Sequence, residues 1–115
     1  MKPVQLNITP QANGDTNLSV VRLEGKLALE TVHNFVATMR GESAQRLVLD
    51  MGGVSFLDSA GVGALVQLFV HRKALGQKFA LASLTQQGTA VMEVAGLLKL
   101  LPIFASVDEA RNSAA

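Results

Sequence analysis

The chain has 115 residues, 49% of them hydrophobic and 17% charged, with a formal net charge of +1; that is one average domain, globular rather than disordered. It has no cysteine, tryptophan or tyrosine, which excludes disulfides, thiolate nucleophiles and Cys-based zinc sites and leaves no set of stacking platforms for single-stranded nucleic acid. A charge near zero also provides no field for a phosphate backbone, so no direct nucleic-acid partner is expected.

The opening residues lack the apolar run of a signal peptide. Val4 to Ile8 alternates apolar and polar side chains as a half-buried strand does, and the turn residues Asn13-Gly14-Asp15 separate it from the β-branched run Leu18 to Leu23. Together these predict a hairpin. A helix is expected over Glu30–Arg40, with Val32, Phe35, Val36 and Met39 on one face and Gly41 as its stop.

Arg46 to Met51 suits a strand buried on both faces. Gly52-Gly53 interrupts it before Val54 to Leu57 leads into Asp58-Ser59. A second helix is expected from about Ser59 to Leu75, ended by Gly76. Its inward stripe reads Val62, Leu65, Val66, Phe69 and Val70, and its outer side Ala60, Ala64, Gln67 and His71, with Gly63 on the boundary. The apolar stretch from Val62 to Val70 is too short to span a bilayer of about 30 Å, so a soluble cytoplasmic protein without membrane contact is expected.

Phe79 to Ala82 reads as a further strand, and Gln87–Ala95 as a helix with Ala90, Val91 and Val94 inward. Leu97 to Phe104 is ambiguous, since Pro102 argues against a central strand. Val107–Arg111 forms a last helical turn before a frayed end. This order implies one α/β domain over residues 1–115, ordered from about 4 to 111. Its mixed sheet should have four to five strands with crossover helices packed on it.

The densest signal is Asp58-Ser59-Ala60-Gly61-Val62-Gly63, where a buried strand hands over to a helix. Either Asp58 or Ser59 can cap that helix through a side-chain oxygen. Gly61 and Gly63 each cost roughly 1 kcal/mol relative to Ala inside it. They therefore mark either close packing within the fold or close approach by a partner. A dinucleotide fingerprint fails because Val66 stands where a third glycine belongs. A nucleophile elbow fails because Leu57 stands where its first glycine belongs. No His or carboxylate pair has metal-ligand spacing, so neither an enzyme nor a cofactor is expected.

This segment resembles the Asp-Ser-(Ser/Thr)-Gly-(Leu/Ile)-Gly signature of STAS-domain anti-sigma-factor antagonists. Gly25-Lys26-Leu27 and the later strand–helix pair extend the likeness over nearly the whole chain. The resemblance implies a STAS fold with Ser59 as the acceptor of a phosphoryl group from an anti-sigma-factor serine kinase. The unphosphorylated form would bind that kinase and the phosphorylated form would leave it, with a phosphatase to reset the switch. Asp58, Ala60, Gly61, Gly63, Ala64 and Gln67 would form the partner surface. The chain departs from the pattern in two places. Ala60 replaces a second hydroxyl, and Lys26 and Ala28 stand where Gly-Glu-Leu-Asp has acids. The alternatives are an unmodified N-cap at Ser59 and a STAS scaffold or subunit of a multiprotein sensor or lipid-transport complex.

Overall fold

In a computed structural model that describes residues 5–113, five strands form one sheet in the order β1-β2-β3-β4-β5. They are β1 (Leu6–Gln11), β2 (Leu18–Leu27), β3 (Arg46–Leu57), β4 (Lys78–Ala82) and β5 (Ile103–Phe104). β1 pairs antiparallel with β2, as the hairpin pattern predicts, while the remaining neighbours are parallel. The parallel pairings need crossovers, which α1 (Val32–Arg40), α2 (Ser59–Ala74) and α3 (Gln86–Val94) supply, and α4 (Val107–Asn112) closes the chain. Val4, expected in the first strand, lies outside the described residues. So do the last two residues of the expected frayed end.

Side-chain alternation divides the sheet into two unequal faces. Val21, Leu23, Leu47, Leu49, Phe79 and Leu81 point toward α1, α2 and α3 and form the main core with Phe35, Leu65 and Met92. Leu18, Val20, Val48, Ala80 and Ala82 point the other way, where Ala110 and Val107 of α4 cover them. Beyond that cover the second face turns polar, and Arg22 reaches across to Asp50 at 2.9 Å.

Several details differ from the sequence-based expectations, and one open stretch is resolved. Gly52-Gly53 does not interrupt β3. The parallel register with β2 shifts twice, between Arg22 and Glu24 and between Gly25 and Lys26. Each shift gives β3 one extra residue. A Cβ at Gly53 would lie 2.7 Å from the Leu23 carbonyl oxygen, so the glycine permits the bulge rather than ending the strand. α1 begins at Val32 rather than Glu30, because the Thr31 hydroxyl is engaged with the Lys26 carbonyl at 2.7 Å and the Ala28 N–H at 3.0 Å. In α3 the buried residues are Gly88 and Met92, whereas Val94 is 90% exposed. Leu97 to Phe104 resolves into a turn followed by the two-residue strand β5, a short edge strand entered directly from Pro102.

The α2 stripe is also rotated. Gly61, Val62, Ala64, Leu65, Leu68 and Arg72 are buried, while Val70 is 59% exposed. The cause is compositional. Val, Leu, Phe, Ala and Gly occur on every side of this helix, so hydrophobicity alone does not fix which side faces inward.

Candidate functional site

β3 and α2 meet at Asp58, and that junction carries the candidate site. Asp58 is the N-cap, with extended backbone (φ −108, ψ −177). Its Oδ1 accepts from the Gly61 N–H at 2.8 Å, and the Val62 N–H reaches the Asp58 carbonyl at 2.9 Å. The Val62 bond is the first regular bond of the helix; of the four N–H groups that every helix start leaves without an intrahelical partner, that of Gly61 is met by Oδ1 and that of Asp58 by the Leu27 carbonyl at 3.4 Å. Those of Ser59 and Ala60 remain for solvent or an anion. The second carboxylate oxygen, Oδ2, accepts from the Leu29 N–H at 3.0 Å. Asp58 thus joins the start of α2 to the loop between β2 and α1.

Because Asp58 takes the cap, Ser59 is free of that task. It occupies the first helical position and is exposed. Gly63 and Gln67 are exposed on the same helix and Ala60 is half-buried. Gly61 and Ala64 are not available to a docking protein as expected. A Cβ at Gly61 would overlap the Leu27 carbonyl oxygen, and Ala64, 5% exposed, packs into the main core. The two motif glycines therefore differ: a Cβ at Gly63 would meet nothing within 4 Å.

The early departures from the family pattern lie at the same end of the sheet. Lys26 is the register partner of Phe56 and is exposed. Ala28 is 2% exposed, with its N–H held by Thr31 Oγ1. A small neutral side chain is thus enclosed where the family pattern carries an acid.

Two contributors have no signal in the sequence. Leu29 is recruited through its backbone alone. Gln87, the second residue of α3, places its carboxamide against Leu57, the residue before the cap. Oε1 accepts from the Leu57 N–H at 3.0 Å, and Nε2 donates to the Leu57 carbonyl at 2.8 Å. Thirty positions separate the pair, beyond any local pattern. Among the described residues, no cluster of three or more His, Asp or Glu is placed to hold a metal, and no helix is long and apolar enough to cross a membrane.

A family model described as STAS domain matches residues 9–110. The chain belongs to the STAS-domain family. This STAS domain is 24% identical over 104 residues to an anti-sigma F factor antagonist from Paenibacillus polymyxa, covering 86% of this chain and 88% of that protein. Among solved structures, it superposes on an anti-sigma factor antagonist from Mycobacterium paratuberculosis with a TM-score of 0.83. The identity is 20%, over 96% of this chain and 94% of that one. The same fold occurs inside the murine Solute Carrier 26 family member A9 anion transporter, with a TM-score of 0.77 and 19% identity. There the match covers 96% of this STAS domain but 22% of the transporter chain. The fold thus spans nearly the whole of one matched chain and about a fifth of the other.

Proposed function

We propose that this STAS domain is an anti-sigma-factor antagonist whose binding to an anti-sigma-factor serine kinase is switched by phosphorylation of Ser59. The observation that carries the reading is the division of labour at the helix start. Asp58 supplies the cap, and Ser59 presents an exposed hydroxyl beside two unpaired N–H groups. In the transfer, Ser59 Oγ bonds to the γ-phosphorus of ATP as the bond to the ADP oxygen breaks, and the hydroxyl proton passes to a base on the kinase.

The product carries about −1.5 to −2 charge at pH 7. The positive end of the helix dipole favours an anion there, while the Asp58 carboxylate opposes it. The fold tolerates the group, and its effect falls on a partner pressed against Ser59, Gly63 and Gln67. Weakening that contact a hundredfold takes only about 2.7 kcal/mol. Incubation with the anti-sigma-factor kinase of the same genome and ATP should add one phosphoryl mass, and Ser59→Ala should abolish it. An unshifted mass, or a shift that survives the substitution, overturns the reading.

The enclosed Ala28 and the transporter-borne relative favour a second reading, a STAS subunit that binds its partner constitutively within a larger sensor or transport complex. In that case ATP leaves both the mass of the chain and its complex unchanged.

A further inference from the structure

We infer that Gln87 is a positioning residue for Ser59, because its carboxamide takes the place of a missing strand and fixes the end of β3 on which the Ser59 turn is built. The inference rests on the reading of Ser59 as phosphoacceptor.

β3 is longer than its neighbour on one side. β2 accompanies it as far as Leu57, but β4 pairs with it only from Arg46 to Asp50. Past Asp50 the β4-side backbone of β3 has no strand beside it. Leu57 is fully buried, so an unpaired N–H and C=O there would give up their hydrogen bonds to water with nothing in return. Gln87 answers both groups with one planar amide, accepting at 3.0 Å and donating at 2.8 Å. It supplies the acceptor and the donor that a residue of a further strand would offer. The chemistry is specific to a carboxamide of this length. Glu could accept from the N–H but not donate to the carbonyl, and Met would do neither.

The amide is itself held. Thr85 caps α3 by accepting from the Gly88 N–H at 3.1 Å. Gly88 is buried beside Leu57, and Met92 anchors the next turn in the core. One residue beyond Leu57, Asp58 fixes the other side of the turn through Gly61 and Leu29. The backbone that aims Ser59 is therefore fastened on both flanks, by α3 and by the loop before α1. Phosphoryl transfer depends on that aim, since displacing a reacting atom by about 1 Å can cost on the order of a hundredfold in rate.

The test uses Gln87→Met and Gln87→Glu in the full chain, with the kinase of the same genome and ATP. Steady-state phosphorylation of Ser59 is measured together with amide exchange at Leu57 and, as a reference for the core, at Leu49. For Gln87→Met, kcat should fall about tenfold or more while KM stays within about threefold, as loss of aim rather than of binding requires. Leu57 should lose protection and Leu49 should keep it. Gln87→Glu retains the acceptor for the Leu57 N–H, so Leu57 should stay protected while kcat still falls. An unchanged kcat in both variants overturns the inference. So does equal loss of protection at Leu49 and Leu57, which would make Gln87 merely structural. If the wild-type chain is not phosphorylated, the phosphoacceptor reading fails and this role fails with it. Intact protection at Leu57 then shows that the latch was not the cause.

Discussion

Gly61 and Gly63 lie two positions apart in one helix, yet the fold needs only the first. At Gly61 the α2 backbone passes so near the Leu27 carbonyl that a Cβ has no room, and the overlap is with backbone, which cannot swing aside. Gly61→Ala should therefore lower stability by about 2 kcal/mol or more. Gly63 has open space around it and ordinary helical geometry, so Gly63→Ala should raise stability by roughly 0.5–1 kcal/mol. Urea midpoints for the two variants check both signs, and a destabilised Gly63→Ala would show an internal role for that glycine. The sequence marked both as costly but could not separate them, because the approaching carbonyl lies 34 residues upstream. At Ser59 the exposed hydroxyl has no capping duty, so Ser59→Asp should keep Tm within about 4 °C of wild type, as for other surface substitutions. Collapse of that variant would place the side chain in the core instead.

At the scale of elements, α2 is seated by a residue that periodicity passes over. Arg72 is 1% exposed, and its guanidinium donates to three backbone carbonyls: Lys78 at 3.0 Å, Ala44 at 2.7 Å and Glu42 at 3.4 Å. These belong to the first residue of β4 and to the loop between α1 and β3. One side chain therefore ties the end of α2 to both connections around it. Burial draws the guanidinium below its ordinary pKa, and the nearby Glu42 carboxylate partly offsets the effect; arginine nevertheless stays charged. Arg72→Met keeps much of the stem but leaves the carbonyls without donors. It should cost about 3 kcal/mol or more in denaturant unfolding, and a loss below about 1 kcal/mol would show that water replaces the guanidinium. In the sequence Arg72 stands within the basic run His71-Arg72-Lys73 at the end of the helix. Its neighbours there are exposed. What distinguishes Arg72 is its rotation toward the sheet, and α2 is too evenly apolar to reveal that rotation. The same ambiguity misplaced Ala64 and Val70, and the short α3 misled in the same way at Val94.

For the molecule as a whole, what could be read early was what repeats locally. Alternation gave the hairpin, the order of strands and helices gave the mixed sheet with its crossover helices, and Asp58-Ser59 gave the junction. What could not be read was how separate segments fasten to one another, as in the Gln87–Leu57 latch or the Asp58 bond to Leu29. Glu42 belongs to this second group and makes global stability depend on pH. It follows α1, and its carboxylate accepts from the Ala44 N–H at 3.0 Å. Burial alone would raise its pKa, but hydrogen bonds from Ser19 and Ala44 and the charge of Arg72 outweigh burial and hold the carboxyl below its ordinary value. A carboxyl with a lowered native pKa binds fewer protons folded than unfolded, so stability rises with pH across the interval between the two values. Its contribution is complete above the unfolded pKa and is lost as pH falls through the native one. Acid should therefore destabilise the wild-type chain by loosening the joint that β2, the α1–β3 loop and α2 share. Glu42→Gln cannot bind that proton, so its unfolding free energy should fall less steeply over the same acidic interval while its stability at pH 7 is lower. Parallel urea titrations from neutral pH into the acid range measure the two slopes, and identical slopes would show that Glu42 titrates alike in the folded and unfolded chain.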